Sequence, residues 1–213
     1  MIMEFVNRIV LVKAVKYAMK SYLTYGKRLA VENEVDFPAE LMQPNMGVFI
    51  TLWRYPHLDI RASKGTMKSG NSLLQVAIDA GIGAVKHDAI FPAIKTPVQI
   101  DEHLLQITLI KNVQTICAER DITLNKDAVI VSYKKHTSIF LPELVSMTNL
   151  DYYEALSQLC LKSGLPGNMW NDPELNVYKG QVETFFEEEV GSWNIVEDMK
   201  HIKRNKMITS CCL

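Results

Sequence analysis

Two hydrophobic periods run through this chain, and they do not alternate regularly. Residues 3–25 set Phe5, Ile9, Val12, Val15, Met19 and Tyr22 at steps of three and four, which is one face of an α-helix. Residues 103–110 read HLLQITLI, with Leu105, Ile107 and Leu109 two apart, the period of a strand with one apolar face. A doubly wound parallel sheet needs strand and helix in strict turn, because a helix makes each crossover. Here strand-like stretches follow one another instead. The pattern therefore predicts an α+β protein built on an antiparallel sheet with flanking helices.

The other stretches fit that class. Gly26 is a natural stop for the first helix, since glycine readily takes the left-handed conformation. Residues 27–46 hold Pro38 and Pro44 and read as a connection. Gly47–Trp53 (GVFITLW) is β-branched and aromatic and reads as a strand. Residues 54–71, with Pro56, Gly65 and Gly70, read as an irregular loop. Ser72–Lys86 reads as a helix whose Ala77, Ala80, Gly81 and Ala84 form a small-residue stripe suited to close packing on a sheet. Ala128–Tyr133 and Thr137–Leu141 predict a hairpin around Lys134-Lys135-His136, ended by Pro142. Leu150–Ser163 reads as a helix stopped by Gly164 and Pro166, with Cys160 on its apolar face as a small hydrophobe. Asn176–Glu187 reads as a strand, and Glu187-Glu188-Glu189 as a solvated charge run. Residues 191–213 have no clear period.

Composition excludes several function classes. With 48% hydrophobic residues the chain can bury a core, which excludes wholesale disorder. Lys plus Arg is 23 and Asp plus Glu is 24, so a DNA-coating role is not expected. The cysteines Cys117, Cys160, Cys211 and Cys212 form no Cys-x-x-Cys pair, so neither a disulfide framework nor a zinc ribbon is expected. The ending Ser210-Cys211-Cys212-Leu213 is not a prenylation box. No stretch is apolar enough for a signal peptide or a membrane span, so the expected compartment is cytoplasmic, with no membrane partner. The five histidines form no His-x-x-x-His, and neither a metal nor a cofactor is expected.

Chemistry concentrates at 61–70. Arg61, Ser63, Lys64, Gly65, Thr66, Lys68, Ser69 and Gly70 combine cations, hydroxyls and glycines, which can converge on an anion. The same composition also describes an ordinary solvated turn. A P-loop is excluded, because Gly-x-x-x-x-Gly-Lys-Ser/Thr is absent. His87-Asp88 is a second place of interest, since a neighbouring carboxylate can hold an imidazole in one tautomer.

Several of these pieces, in this order, resemble the AMMECR domain family. They are Met46-Gly47-Val48-Phe49-Ile50-Thr51-Leu52, Asp88 through Phe91-Pro92, Leu141-Pro142, Cys160-Leu161-Lys162-Ser163-Gly164-Leu165-Pro166 with Trp170, and Val177-Tyr178-Lys179 through Phe186-Glu187-Glu188. The family signature Leu-Arg-Gly-Cys-Ile-Gly is represented by Ile60-Arg61-Ala62-Ser63-Lys64-Gly65, which keeps the arginine and the last glycine. The family's Asp-x-Arg-Phe-Pro becomes Asp88-Ala89-Ile90-Phe91-Pro92, so its arginine is lost.

The resemblance implies one AMMECR-like domain over 1–190 and a C-terminal tail over 191–213. Within the domain it implies a large subdomain (about 1–53 and 100–190) and a smaller inserted α/β subdomain (54–99) that carries the signature into a cleft. The family's biochemical activity is undetermined; some relatives are fused to, or encoded beside, Memo-like and radical-SAM proteins, which implies a modification pathway. Two readings follow. In an enzyme-like protein, Arg61 pairs with a carboxylate or phosphate, Lys64 adds charge, Gly65 admits close backbone approach, and Ser63 binds the ligand or attacks it. His87 and Asp88 would then be supporting or acid–base groups. Ser63 in place of the family cysteine is a weak nucleophile without a base. In the alternative, the cleft belongs to a non-catalytic binding module for a protein segment or RNA.

Overall fold

The computed structural model of the chain describes residues 3–30, 37–43, 47–67, 70–86, 91–116, 118–188 and 194–197. They group into two compact units, one within 1–109 and 183–213, the other within 110–182. All of 54–99 that is described lies in the first unit.

The first unit opens with helix α1 (Phe5–Tyr25). It ends where Gly26 takes a φ of 68° and donates its N–H to the Tyr22 carbonyl. The buried side of α1 is Asn7, Arg8, Leu11, Val12, Val15, Lys16, Ala18 and Met19. Phe5, expected on that side, is 54% exposed. Counting apolar residues alone passes over Arg8 and Lys16, which occupy buried positions because carboxylates meet them there: Glu183 for Arg8 and Glu187 for Lys16.

Strands β1 (Gly47–Arg54), β2 (Asp59–Thr66) and β3 (His103–Thr115), helix α2 (Leu73–Val85) and the short helix α3 (Pro97–Ile100) follow. Strand β2 corrects the loop expected over 54–71. Its sequence DIRASKGT alternates polar and apolar residues only as far as Ser63, and the bulge puts Ile60 and Ala62 on different faces, so pairing with β1 rather than local pattern makes it a strand. The pair is antiparallel and in register from Val48↔Thr66 to Leu52↔Ala62, then resumes at Trp53↔Ile60. Arg61 is the extra residue, a β-bulge. In this unit the strand order is β2-β1-β3-β6, where β6 is Asn176–Glu187 and β7 (Ile195–Val196) pairs with β6.

Helices α1 and α2 cover one face of this sheet. Val48, Ile50, Leu52, Leu105, Ile107 and Leu109 meet Val15, Met19, Leu74, Ala77 and Ile78 in one core. Each large side chain there contributes ~1.5–3 kcal/mol by leaving water. The small stripe of α2 serves helix and sheet alike: a side chain at Gly81 would run into Val15 and Met19 of α1.

The second unit has its own core. Strands β4 (Asp127–Tyr133) and β5 (His136–Phe140) form the expected hairpin, with Lys134 at a φ of 53° in its turn. Here the order is β3-β6-β4-β5. Pro142 does not simply end the hairpin; it is the first residue of helix α4 (Pro142–Thr148), a position where its missing N–H costs nothing. Helix α5 (Tyr152–Lys162) starts at an Asp151/Glu154 capping box. It lays Leu156, Leu159 and Cys160 on Val129 and Val131. Among the described residues no helix is long and apolar enough to cross a membrane.

Candidate functional site

Strand β2 stands at the end of the strand order, and α2 runs beside it in the first unit. Between them lies a groove of about 390 Å³ lined by Lys64, Gly65 and Thr66 of β2 and by Val76, Asp79, Ala80 and Gly83 of α2. The helical residues fall at i, i+3, i+4 and i+7, so one helix face forms that wall. Its shape depends on small side chains. A Cβ at Gly83 would sit 3.0 Å from Lys64 Cγ, so the lysine stem lies directly on the glycine.

Alternation along β2 separates the predicted site residues. Ala62 and Lys64 pair with Leu52 and Ile50, on the face covered by α2. Ser63 and Gly65 pair with Thr51 and Phe49, on the opposite face. There the Ser63 hydroxyl hydrogen-bonds the Thr51 hydroxyl at 3.0 Å. Gly65 is needed by its neighbours, because a Cβ would overlap the Val48 carbonyl and the Phe49 ring. Arg61, displaced by the bulge, donates from Nη2 to the Pro92 carbonyl at 2.8 Å. His87 and Asp88 lie outside the described residues.

The charges of the groove are unequal. Asp79 is held by Arg28, whose Nε and Nη2 bond its two oxygens. Among the described residues the exposed Lys64 ammonium has no ion-pair partner, so the groove presents an uncompensated cation. Near Arg61, His103 is 5% exposed and its Nδ1 lies 2.6 Å from the Gln99 carbonyl oxygen. Burial first, then the positive charges of Arg61 and Arg54, lower its pKa; the Gln99 hydrogen bond and Glu102 oppose them. An imidazole held neutral in this way donates from Nδ1 to Gln99. Among the described residues no group of three or more His, Cys, Asp or Glu could hold a metal ion.

The family model named AMMECR1 matches residues 12–185. The chain belongs to the AMMECR1 family. Relatives are similar along most of their length. A protein of Thermococcus gammatolerans is 31% identical over 186 residues, covering 84% of this chain and 89% of its own. Protein MK0488 of Methanopyrus kandleri is 26% identical, covering 84% and 87%. The crystal structure of the uncharacterised protein PH0010 from Pyrococcus horikoshii superposes with a TM-score of 0.82 at 28% identity, covering 92% of this chain and 98% of that one. In this AMMECR1 member the segment Ile60–Gly65 is part of a strand, not a loop, and among the described strands that strand is at the edge.

Reading the sequence alone missed Val76, Asp79, Ala80 and Gly83 as lining residues, and Thr51 as the partner of Ser63. One signal was present: Asp79 is the one charged residue in LLQVAIDAGIGAV. A carboxylate inside so apolar a helix marks a side that leaves the core.

Proposed function

We propose that this AMMECR1-family chain is a non-catalytic binding module whose anion-binding groove, between β2 and α2, takes a segment of a partner protein. One observation carries the reading: strand alternation puts the uncompensated cation Lys64 in the groove and the Ser63 hydroxyl on the other face. A nucleophilic serine needs a base within hydrogen-bond reach. The hydroxyl partner of Ser63 is Thr51, which is no base. Lys64 supplies attraction for a carboxylate or phosphate without bond-breaking, and the groove beside it offers about 390 Å³ for a segment of chain. The enzyme-like reading, with Ser63 attacking a bound ligand, lacks that support.

The test is to purify tagged protein from its native cells as wild type and as folded Lys64→Glu, Arg61→Glu and Ser63→Ala variants. The expected result is a co-purifying protein that Lys64→Glu loses and Ser63→Ala keeps. A small molecule retained by wild type and turned over only while Ser63 is present would overturn the reading in favour of an enzyme.

A further inference from the structure

Strand β2 is a sheet edge, and an edge strand can be extended by another chain. Its one strand neighbour among the described residues is β1, so half of its backbone N–H and C=O groups face away from the sheet. Proteins blunt such edges with bulges and charged residues, and β2 carries both. The bulge at Arg61, however, sits at one end of the strand. From Ala62 to Gly65 the pairing with β1 is regular, without an interruption. That leaves four consecutive residues, Ala62–Gly65, of well-formed edge.

The groove runs along this same stretch, since Lys64, Gly65 and Thr66 line it. Across from them α2 offers Val76, Ala80 and Gly83, which leave room beside the strand, and Asp79, whose charge Arg28 already meets. An edge strand facing a helix across a narrow groove suits an extended peptide better than a helix or a compact ligand. Backbone hydrogen bonds to the edge would give affinity, and alternate side chains would enter the groove. The charge balance then selects the side chain, because Lys64 is the groove's uncompensated group.

Resting on the binding-module reading, we propose that the partner binds as an extended acidic segment that adds a strand to β2 over Ala62–Gly65, with an Asp or Glu side chain against Lys64. The step is association alone, and no bond is formed or broken. The bulge at Arg61 ends the paired stretch, so the added strand is short. Gly83 is part of the specificity of the groove, since the Lys64 stem lies on it and a larger residue there would push the ammonium away from the incoming carboxylate.

The test pans the full chain against a displayed library of random peptides about ten residues long, enough for one strand. Enriched peptides are expected to carry Asp or Glu and to lack proline through the pairing stretch. They should bind Lys64→Glu roughly five- to tenfold more weakly, the size of losing and then reversing an exposed ion pair. Gly83→Leu, which keeps a good helix former and displaces the Lys64 stem, should also lose them. Panning Lys64→Glu itself should enrich basic peptides. Hydrogen exchange in the complex should protect alternate backbone amides between Ala62 and Gly65. Lys64-dependent binding with those amides unprotected would sink strand addition while leaving the groove as the binding site. Peptides indifferent to both Lys64→Glu and Gly83→Leu would sink the groove reading as well. If no peptide is enriched but a labelled single-stranded oligouridine binds in a Lys64-dependent way, the partner is RNA and the peptide proposal fails.

Discussion

Gly65 and Gly83 border the same groove and respond to a methyl group in opposite senses. Gly65 faces Phe49 across the strand pair, and a Cβ there would overlap both the ring and the Val48 carbonyl. Backbone cannot yield cheaply, so Gly65→Ala is expected to destabilise the protein by ~1–3 kcal/mol, the usual range of overpacking. Gly83 lies inside a helix and meets the flexible stem of Lys64. Gly83→Ala removes a helix-breaking residue and asks a lysine to swing aside, so it is expected to stabilise by less than ~1 kcal/mol. Urea unfolding of the two variants checks both signs, and a stabilised Gly65→Ala would show that the Phe49 contact gives way freely. Arg61 and Ser63 also differ in kind. The bulge sends Arg61 to Pro92, while Ser63 belongs to a hydroxyl pair on the face of Thr51.

At the level of elements, α1 is fastened by charge as well as by apolar packing. Lys16 Nζ lies 2.7 Å from Glu187 Oε1, and the other Glu187 oxygen accepts the Leu105 N–H at 2.9 Å. Glu187 is 0% exposed, which corrects the reading of Glu187-Glu188-Glu189 as a solvated run. Strand alternation turned one of the glutamates inward, where a cation waits on α1. Removing one member leaves the other buried and unpaired, so Glu187→Leu alone is expected to cost ~3–5 kcal/mol. The double replacement Lys16→Met with Glu187→Leu is expected to recover part of that loss, with ~1–3 kcal/mol remaining because the buried Leu105 N–H has lost its acceptor. A double-mutant cycle in urea measures this, and additive losses would mean the pair is not coupled. Helix α5 offers a smaller, local effect. Asp151 accepts the Glu154 N–H at 2.8 Å, while Glu154 accepts the Asp151 N–H at 3.0 Å. Asp151→Ala is expected to cost ~0.5–2 kcal/mol, read as a lower thermal midpoint.

The stability of the whole molecule carries two opposed pH dependences. Burial, the largest cause, and Arg61 lower the His103 pKa below its ordinary value. As pH falls, the unfolded chain takes up that proton before the folded one. The His103 contribution is therefore fully present above the ordinary imidazole value of about 6.5 and is lost as pH falls below it. Glu187 acts the other way: burial raises its pKa despite the favourable Lys16 and Leu105 contacts. The folded chain then holds that proton to a higher pH than the unfolded one. Stability from this group falls as pH rises from the ordinary carboxylate range through its folded value. Replacing His103 by Gln, which can still donate to the Gln99 carbonyl, should reduce the loss of urea stability between roughly pH 7.5 and 5.5. An unchanged loss would place that titration on other groups.

Much of this architecture was legible in one sequence. The three-four spacing over 3–25 located α1, the GVFITLW run located β1, and the hairpin around Lys134 appeared where the two apolar runs flank it. These features are local: period, turn chemistry and a left-handed glycine act over a few residues, and a sequence displays them directly. The fold class followed from their order, and the AMMECR1 family from motifs along that order. Strand β2 was not legible, because its brief alternation stops at Ser63 among polar residues and glycine, and it becomes a strand through its pairing with β1. Nor was the inward turn of Glu187, which depends on a lysine more than 150 positions away in the chain. The site divided along the same line. Its residue types were visible at 61–66, but which of them share a face was decided by a one-residue bulge and by strand alternation against β1. Those are properties of the pairing between strands, so only the tertiary structure could place Lys64 in the groove and Ser63 behind it.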